Sequence, residues 1–182
     1  MLDKLDEEAY HYHIAEIKES IKNTTPILKL KNTDSHASYT GDIYSKGAYF
    51  MHSLRYSLGD TIFFKTLYQF ANDSNYTYKN LVETDDFLNL VNKTSGKDFS
   101  SFFNLFLKTT NLPDVQIDSL GNNKWNVSIP NIDFDLVMDL EGNGKIERYI
   151  LSQDPITIES KTKIIVDPKN WYLHQSDFNK SE

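Results

Sequence analysis

Apolar residues recur at helical spacing through the first 112 residues. Over about residues 3–22 they follow one another in steps of four, three and four, which places them on one face of a helix. These positions are Tyr10, Ile14, Ile17 and Ile21. The same periodicity predicts four further helices, over about residues 43–58, 61–71, 85–95 and 99–108. Pro26 and Pro113 end the first and the last helix, because proline lacks an amide donor, and residues 23–42 are typical of a loop.

Glycine and small polar residues mark the ends of these helices. Gly59 follows the second helix and Gly96 the fourth, where a left-handed residue commonly ends a helix. Asp60, Thr84 and Asp98 precede the third, fourth and fifth helices. Their side-chain oxygens are expected to accept hydrogen bonds from the free amides of the first turn.

The apolar period changes from 3.6 to 2 after Pro113. In WNVSI, residues 125–129, large apolar residues alternate with polar ones, and four further short segments have the composition of strands. The GNN and EGNG segments between them are typical of hairpin turns. The sequence therefore predicts an α+β protein, with an N-terminal helical bundle (1–112) followed by a small antiparallel β-sheet or sandwich domain (113–182).

Composition narrows the class of function. Hydrophobic residues make up 39% of the chain, enough for a core, and the net charge is −7 with no basic cluster. A nucleic-acid surface needs a basic stripe, so we expect no nucleic-acid partner. Cysteine is absent, which excludes disulfides and thiolate metal sites, and no apolar run reaches the 18 residues of a membrane span. The acidic N-terminus resembles the interior of a longer protein, so the compartment stays open.

Residues 41–63, GDIYSKGAYFMHSLRYSLGDTIF, contain Tyr-x-Lys-Gly-Ala, then Leu-Arg, then Gly-Asp followed by Phe. This order resembles the segment that follows the metal site in M1 (gluzincin) zinc aminopeptidases. Residues 84–107 resemble later helices of the same domain, and IIVDPKNWYL, residues 164–173, resembles the end of a short bacterial member. The resemblance implies that the helical part is the second half of a thermolysin-like catalytic domain and that the strands form a small β-domain.

The resemblance implies a catalytic role for Tyr44. Hydrolysis of a peptide bond passes through a tetrahedral species with negative charge on the former carbonyl oxygen, and a preorganised phenol can share that charge with zinc. Tyr39, five residues earlier, is a candidate for substrate binding in the cleft, and an aromatic packed on the surface is the simpler alternative.

Neighbouring motif residues have plainer interpretations. Gly47 and Ala48 are expected to let another backbone come close, and Lys46 to hydrogen-bond a neighbouring loop. Arg55 is expected to anchor a buried ion pair, with contact to substrate as the alternative.

The metal site of the family is missing from this sequence. Members hold zinc through an HExxH helix and a further glutamate, and no HExxH is present. The Asn-Glu-Gly segment of the third ligand and the Gly-x-Met-Glu-Asn segment that binds the substrate amine are also absent. Zinc is therefore expected in a full-length parent, and this chain is expected to bind none.

The histidines offer no substitute for these ligands. His11 and His13 lie two apart on a helix, so they point in nearly opposite directions, and both are expected on a solvated face. Glu7 and His11 supply two ligands where catalytic zinc takes three. His52 is expected to be a satisfied core histidine. The segment DLEGNGKIE, residues 139–147, lacks the last glutamate of a calcium loop and is expected to be a hairpin.

Two functional hypotheses follow. In the first, the chain is a C-terminal fragment of an M1 aminopeptidase that removes N-terminal residues from peptides, and it is inactive alone because the zinc ligands and general base are missing. In the second, it is a non-catalytic, M1-like module that binds a protein or peptide. The sequence leaves the oligomeric state open.

Overall fold

The computed structural model describes residues 7–28, 41–77 and 81–177. Within these ranges five α-helices precede six strands, so the predicted α+β class and the order of its two parts are confirmed. The helices are α1 Glu7–Ser20, α2 Asp42–Leu58, α3 Asp60–Asn72, α4 Thr84–Ser95 and α5 Ser100–Lys108. None of the helices in the described ranges is both long and apolar enough to cross a membrane.

The helices end close to the predicted positions, but the residues that cap them differ in part from the prediction. Gly59 has φ +75° and donates its N–H to the Arg55 carbonyl, which ends α2. Gly59 also precedes α3 as its N-cap, and the carboxylate of Asp60 binds Arg55 instead of capping that helix. The prediction for Asp60 is therefore wrong, because a charged partner five residues back competes for the carboxylate.

The N-caps of α4 and α5 also differ from the predicted residues. Glu83, not Thr84, is the N-cap of α4, and it forms a reciprocal capping box with Asp86. Phe99 is the N-cap of α5, while the Asp98 carboxylate accepts a hydrogen bond from the Ser100 N–H at 2.9 Å. The predicted capping residues thus lie within one position of the observed caps.

The strands form two three-stranded antiparallel sheets, in the orders β1-β2-β5 and β4-β3-β6. The strands are β1 Gln116–Gly121, β2 Lys124–Ser128, β3 Leu136–Gly142, β4 Lys145–Leu151, β5 Ile156–Glu159 and β6 Ile165–Val166. The predicted turns are confirmed: Asn122 and Asn123 connect β1 to β2, and Asn143 and Gly144 connect β3 to β4, all with positive φ.

One buried core joins helices and strands. Phe102, Phe103 and Phe106 of α5 are all nearly inaccessible to water, as their helical spacing predicts. They belong to the same apolar cluster as Val127 of β2 and Met138 of β3. The change from helix to strand falls between Lys108 and Gln116, consistent with the predicted boundary, whereas the division into two domains stays a prediction.

The segment 167–177 returns from the strands to α2. Asp167 is fully buried within it, has φ +44°, and accepts hydrogen bonds from the N–H groups of Trp171 and Tyr172 at 2.8 Å each. Ser53 of α2 donates its hydroxyl to the Trp171 carbonyl at 2.7 Å. The last part of the described chain therefore packs against α2, the helix that carries Tyr44.

Candidate functional site

Tyr44 lies in the first turn of α2, where its N–H donates to the Gly41 carbonyl at 3.1 Å. Its side chain is 63% exposed. Helical spacing places Gly47, Ala48 and Met51 on the same side, and we call these four residues the Tyr44 face of α2. Tyr44 thus lies on a regular helix with most of its surface exposed.

Gly47 and Ala48, the small residues of the Tyr44 face, are not tightly packed against the residues that the structure describes. A Cβ added at Gly47 would meet no atom within 4 Å apart from the helix itself, and Ala48 is exposed. The described residues therefore supply no backbone close to Gly47, and the prediction that Gly47 and Ala48 admit a neighbouring backbone stays a prediction.

An apolar groove continues from the Tyr44 face. Its volume is about 440 Å³, and Met51 belongs both to the groove and to the face. Helices α2, α3, α4 and α5 supply most of its walls, chiefly through Phe50, Leu67, Phe70, Phe87 and Phe103. Val82 lies at its edge beside Leu81, which is 99% exposed.

Lys46 lies on the opposite side of α2 and is almost completely buried. Its Nζ donates to Asn23 Oδ1 at 2.7 Å and to the Thr109 carbonyl at 3.0 Å, so the predicted loop contact is confirmed. Burial lowers the pKa of Lys46 to about 8, against the opposing effect of the Asp42 charge. Sequence reasoning missed Asn23 and Thr109, since neither belongs to the motif.

Arg55 forms a bidentate ion pair with Asp60, through Nε–Oδ1 at 2.7 Å and Nη2–Oδ2 at 3.0 Å. This hydrogen bond lowers the pKa of Asp60 and raises that of Arg55. The guanidinium also lies 5.2 Å from the ring centroids of Tyr10 and Phe64. The ion pair exists as predicted but is not buried, because the Asp60 side chain is 64% exposed at the end of a helix.

His52 is a core histidine, as predicted. Its Nδ1 accepts a hydrogen bond from the Tyr10 hydroxyl at 2.6 Å, and its Nε2–H donates to the Asn170 carbonyl at 3.2 Å, the tautomer that this network requires. Its ring stacks on Trp171 at 4.6 Å. Burial lowers the pKa of His52 to about 4.

The structure separates His11 from His13. His13 is exposed, as predicted, but His11 packs edge-on against Trp171 at 4.9 Å and its side chain is only 20% exposed. The prediction of a solvated His11 is wrong because the 167–177 segment covers that side of α1. His11 Nε2 lies 3.9 Å from Glu7 Oε1, and burial lowers the pKa of His11.

We expect the free energy of unfolding to decrease as the pH falls from about 6.5 to about 4, because His52 is buried in its neutral form. Its pKa is 6.5 ordinarily and about 4 in the fold, so the unfolded chain binds more protons in that window. The loss should amount to about 2 kcal/mol of unfolding free energy. Urea unfolding at several pH values measures it.

Two variants isolate this effect. His52→Gln should flatten the pH dependence, while His13→Gln, at an exposed position of α1, should leave it unchanged. An unaltered slope in the His52 variant would show that other groups, such as His11, control acid stability.

The described residues do not fit a zinc site. No group of three His, Cys, Asp or Glu side chains in residues 7–28, 41–77 and 81–177 is placed to hold a metal ion. The whole sequence contains no HExxH. Tyr39, the candidate for substrate binding, lies outside the described residues.

The fold, the Tyr44 motif and a family comparison agree on the class of protein. The model of the Peptidase family M1 domain matches residues 4–106, more than half of the chain. The chain therefore belongs to the M1 peptidase family, whose members are in general zinc-dependent.

Two relatives show how much of such a protein the chain spans. It is 29% identical over 108 residues to mitochondrial aminopeptidase 2 of Saccharomyces cerevisiae, covering 58% of this chain and 11% of that protein. It superposes on the crystal structure of Legionella pneumophila aminopeptidase A in complex with aspartic acid with a TM-score of 0.57 and 17% identity. That match covers 78% of this chain and 18% of the other, and it shows the fold. The chain thus spans a tenth to a fifth of these relatives.

Proposed function

We propose that this chain supplies part of the catalytic domain of a zinc-dependent M1 aminopeptidase that removes N-terminal residues from peptides. Residues 1–112 would form the helical second half of that domain and residues 113–182 a small β-domain. Family membership and the similarity to two aminopeptidases support the class of reaction. The exposure of Tyr44, on a helix whose other side packs against the segment 167–177, is the observation that supports a catalytic position most directly.

In this proposal Tyr44 acts on the oxygen of the scissile carbonyl. The phenol donates a hydrogen bond to that oxygen as it becomes negative, and a donor fixed in advance pays no cost of reorganisation during the reaction. The zinc ligands, the general base and the groups that bind the substrate amine would come from polypeptide outside these 182 residues. The sequence contains no HExxH, and no group of three possible ligands in residues 7–28, 41–77 and 81–177 is placed to hold a metal ion.

The apolar groove favours a second candidate function, that of a non-catalytic module that binds a protein or peptide. A groove of about 440 Å³ lined by aromatic rings suits an apolar side chain or a short helix. This function requires no metal and predicts binding without turnover. The two candidates are distinguished by whether the protein, at its natural length, hydrolyses peptides.

The first test uses the purified 182-residue chain. With or without added zinc, the chain should hydrolyse an aminoacyl-anilide no faster than buffer does. It should also retain no zinc after dialysis. A known zinc aminopeptidase serves as the positive control. Metal-dependent turnover by this chain alone would contradict the proposal that its catalytic site is incomplete.

A further inference from the structure

Lys46 is an unusual residue to find inside a protein. It is 1% exposed, two positions after Tyr44, and it is among the largest side chains buried to this degree in the described ranges. Burial of a lysine is costly unless its amine is hydrogen-bonded. Within the described ranges its Nζ donates to Asn23 Oδ1 and to the Thr109 carbonyl, and both acceptors come from other segments of the chain.

These two acceptors are themselves fixed in place. Asn23 follows α1 with φ +51°, and its Nδ2 donates to the Thr110 carbonyl at 2.8 Å. Thr109 ends α5, and its hydroxyl donates to the Leu105 carbonyl at 2.7 Å. The amine of Lys46 therefore joins α2 to the segment after α1 and to the end of α5.

Two further contacts hold the same turn of α2. The N–H of Lys22 donates to Asp42 Oδ1 at 2.9 Å, and the Ser20 hydroxyl donates to that of Ser45 at 2.7 Å. Tyr44 belongs to this turn. Residues two apart on a helix point about 200° from each other, so the amine of Lys46 anchors the turn on the side opposite the exposed phenol.

We propose that Lys46 is a positioning residue for Tyr44: its contacts with Asn23 and Thr109 set the place and rotation of the helical turn that carries the catalytic phenol. This inference rests on the proposed function. Lys46 does not touch the substrate and acts only through the helix. A displacement of about 1 Å in a catalytic group can cost on the order of 100-fold in rate.

The test is a double-mutant cycle on the protein at its natural length, isolated from its own cells with an antibody against these residues. Lys46→Met should lower kcat by about 10- to 100-fold with little change in KM. In a Tyr44→Phe background the same substitution should have almost no further effect, because the group that it positions is gone. Rates are normalised to folded protein by circular dichroism.

Two further variants control for effects of lysine replacement and of misfolding that do not involve the position of Tyr44. Lys65→Met changes an exposed lysine of α3 and should leave kcat unchanged. Asn23→Gly removes one acceptor of the Lys46 amine, and glycine readily keeps the positive φ of this position. This variant should also lower kcat, by a smaller factor than Lys46→Met.

The outcomes separate this inference from the proposed function. If the natural-length protein shows no turnover, the proposed function fails. If it turns over but Tyr44→Phe leaves kcat unchanged, the catalytic role of Tyr44 is wrong, and the positioning role of Lys46 is wrong with it. If Tyr44→Phe lowers kcat but Lys46→Met does not, or lowers it equally in both backgrounds, the positioning role is wrong and the proposed function stands. If Lys46→Met does not fold, an unchanged kcat in Asn23→Gly likewise overturns the positioning role.

Discussion

Replacing Tyr44 by phenylalanine should lower kcat of the natural-length protein by about 100- to 1,000-fold, the usual cost of removing one donor to an oxyanion. The substitution removes only the hydroxyl from a side chain that is 63% exposed, so the fold should keep its stability. In the proposed role the interaction forms as charge develops on the substrate oxygen, so KM should change little. Steady-state kinetics with an aminoacyl-anilide measures both constants.

A tyrosine on another helix provides the control for this experiment. Tyr12 of α1 is 68% exposed, and Tyr12→Phe should leave kcat within about twofold of the unmodified protein. Zinc content should be the same in all three proteins. A Tyr44→Phe protein with full activity would contradict the catalytic role of this residue, whatever the fate of the family assignment.

Tyr172→Ala should reduce the free energy of unfolding by about 3–5 kcal/mol, the cost of a large cavity in an aromatic core. Tyr172 is completely buried, and its ring lies 6.2 Å from that of Phe106 and 5.6 Å from that of Tyr56. It belongs to the segment that returns from the strands to α2. Loss of the ring should therefore weaken the attachment of the β part to the helices. Chemical denaturation of the 182-residue chain measures the change.

Two milder variants distinguish the ring from its hydroxyl. Tyr172→Phe loses only the 2.9 Å hydrogen bond between the hydroxyls of Tyr172 and Ser57, and it should cost about 1 kcal/mol. Tyr12→Ala, at an exposed position, should change stability by less than about 0.5 kcal/mol. If Tyr172→Ala were as mild as Tyr12→Ala, the segment 167–177 would not contribute to the core.

Features that depend on nearby residues could be predicted from the sequence. The spacing of Phe102, Phe103 and Phe106 is enough to define the buried face of α5, because a helix repeats every 3.6 residues. The turn at Asn143 and Gly144 was predictable because both residues tolerate positive φ. The position of Tyr44 at the start of α2 followed from the motif and the preceding loop.

Features that depend on distant residues could not be predicted. His11 is covered by Trp171, 160 positions away in the sequence, and Lys46 is bound by Asn23 and Thr109, which come from separate loops. Periodicity indicates which side of a helix is buried but not which polar atoms meet the buried groups.

The most direct test of the account is the rate at which the natural-length protein releases N-terminal residues. Protein captured from its own cells with an antibody against these 182 residues is assayed with an aminoacyl-anilide, before and after removal of zinc by a chelator. The account predicts turnover that is lost when zinc is removed and restored when zinc is added back. The captured protein should also contain an HExxH sequence. Captured protein that binds peptide but shows no turnover under any of these conditions would contradict the account and favour the non-catalytic module.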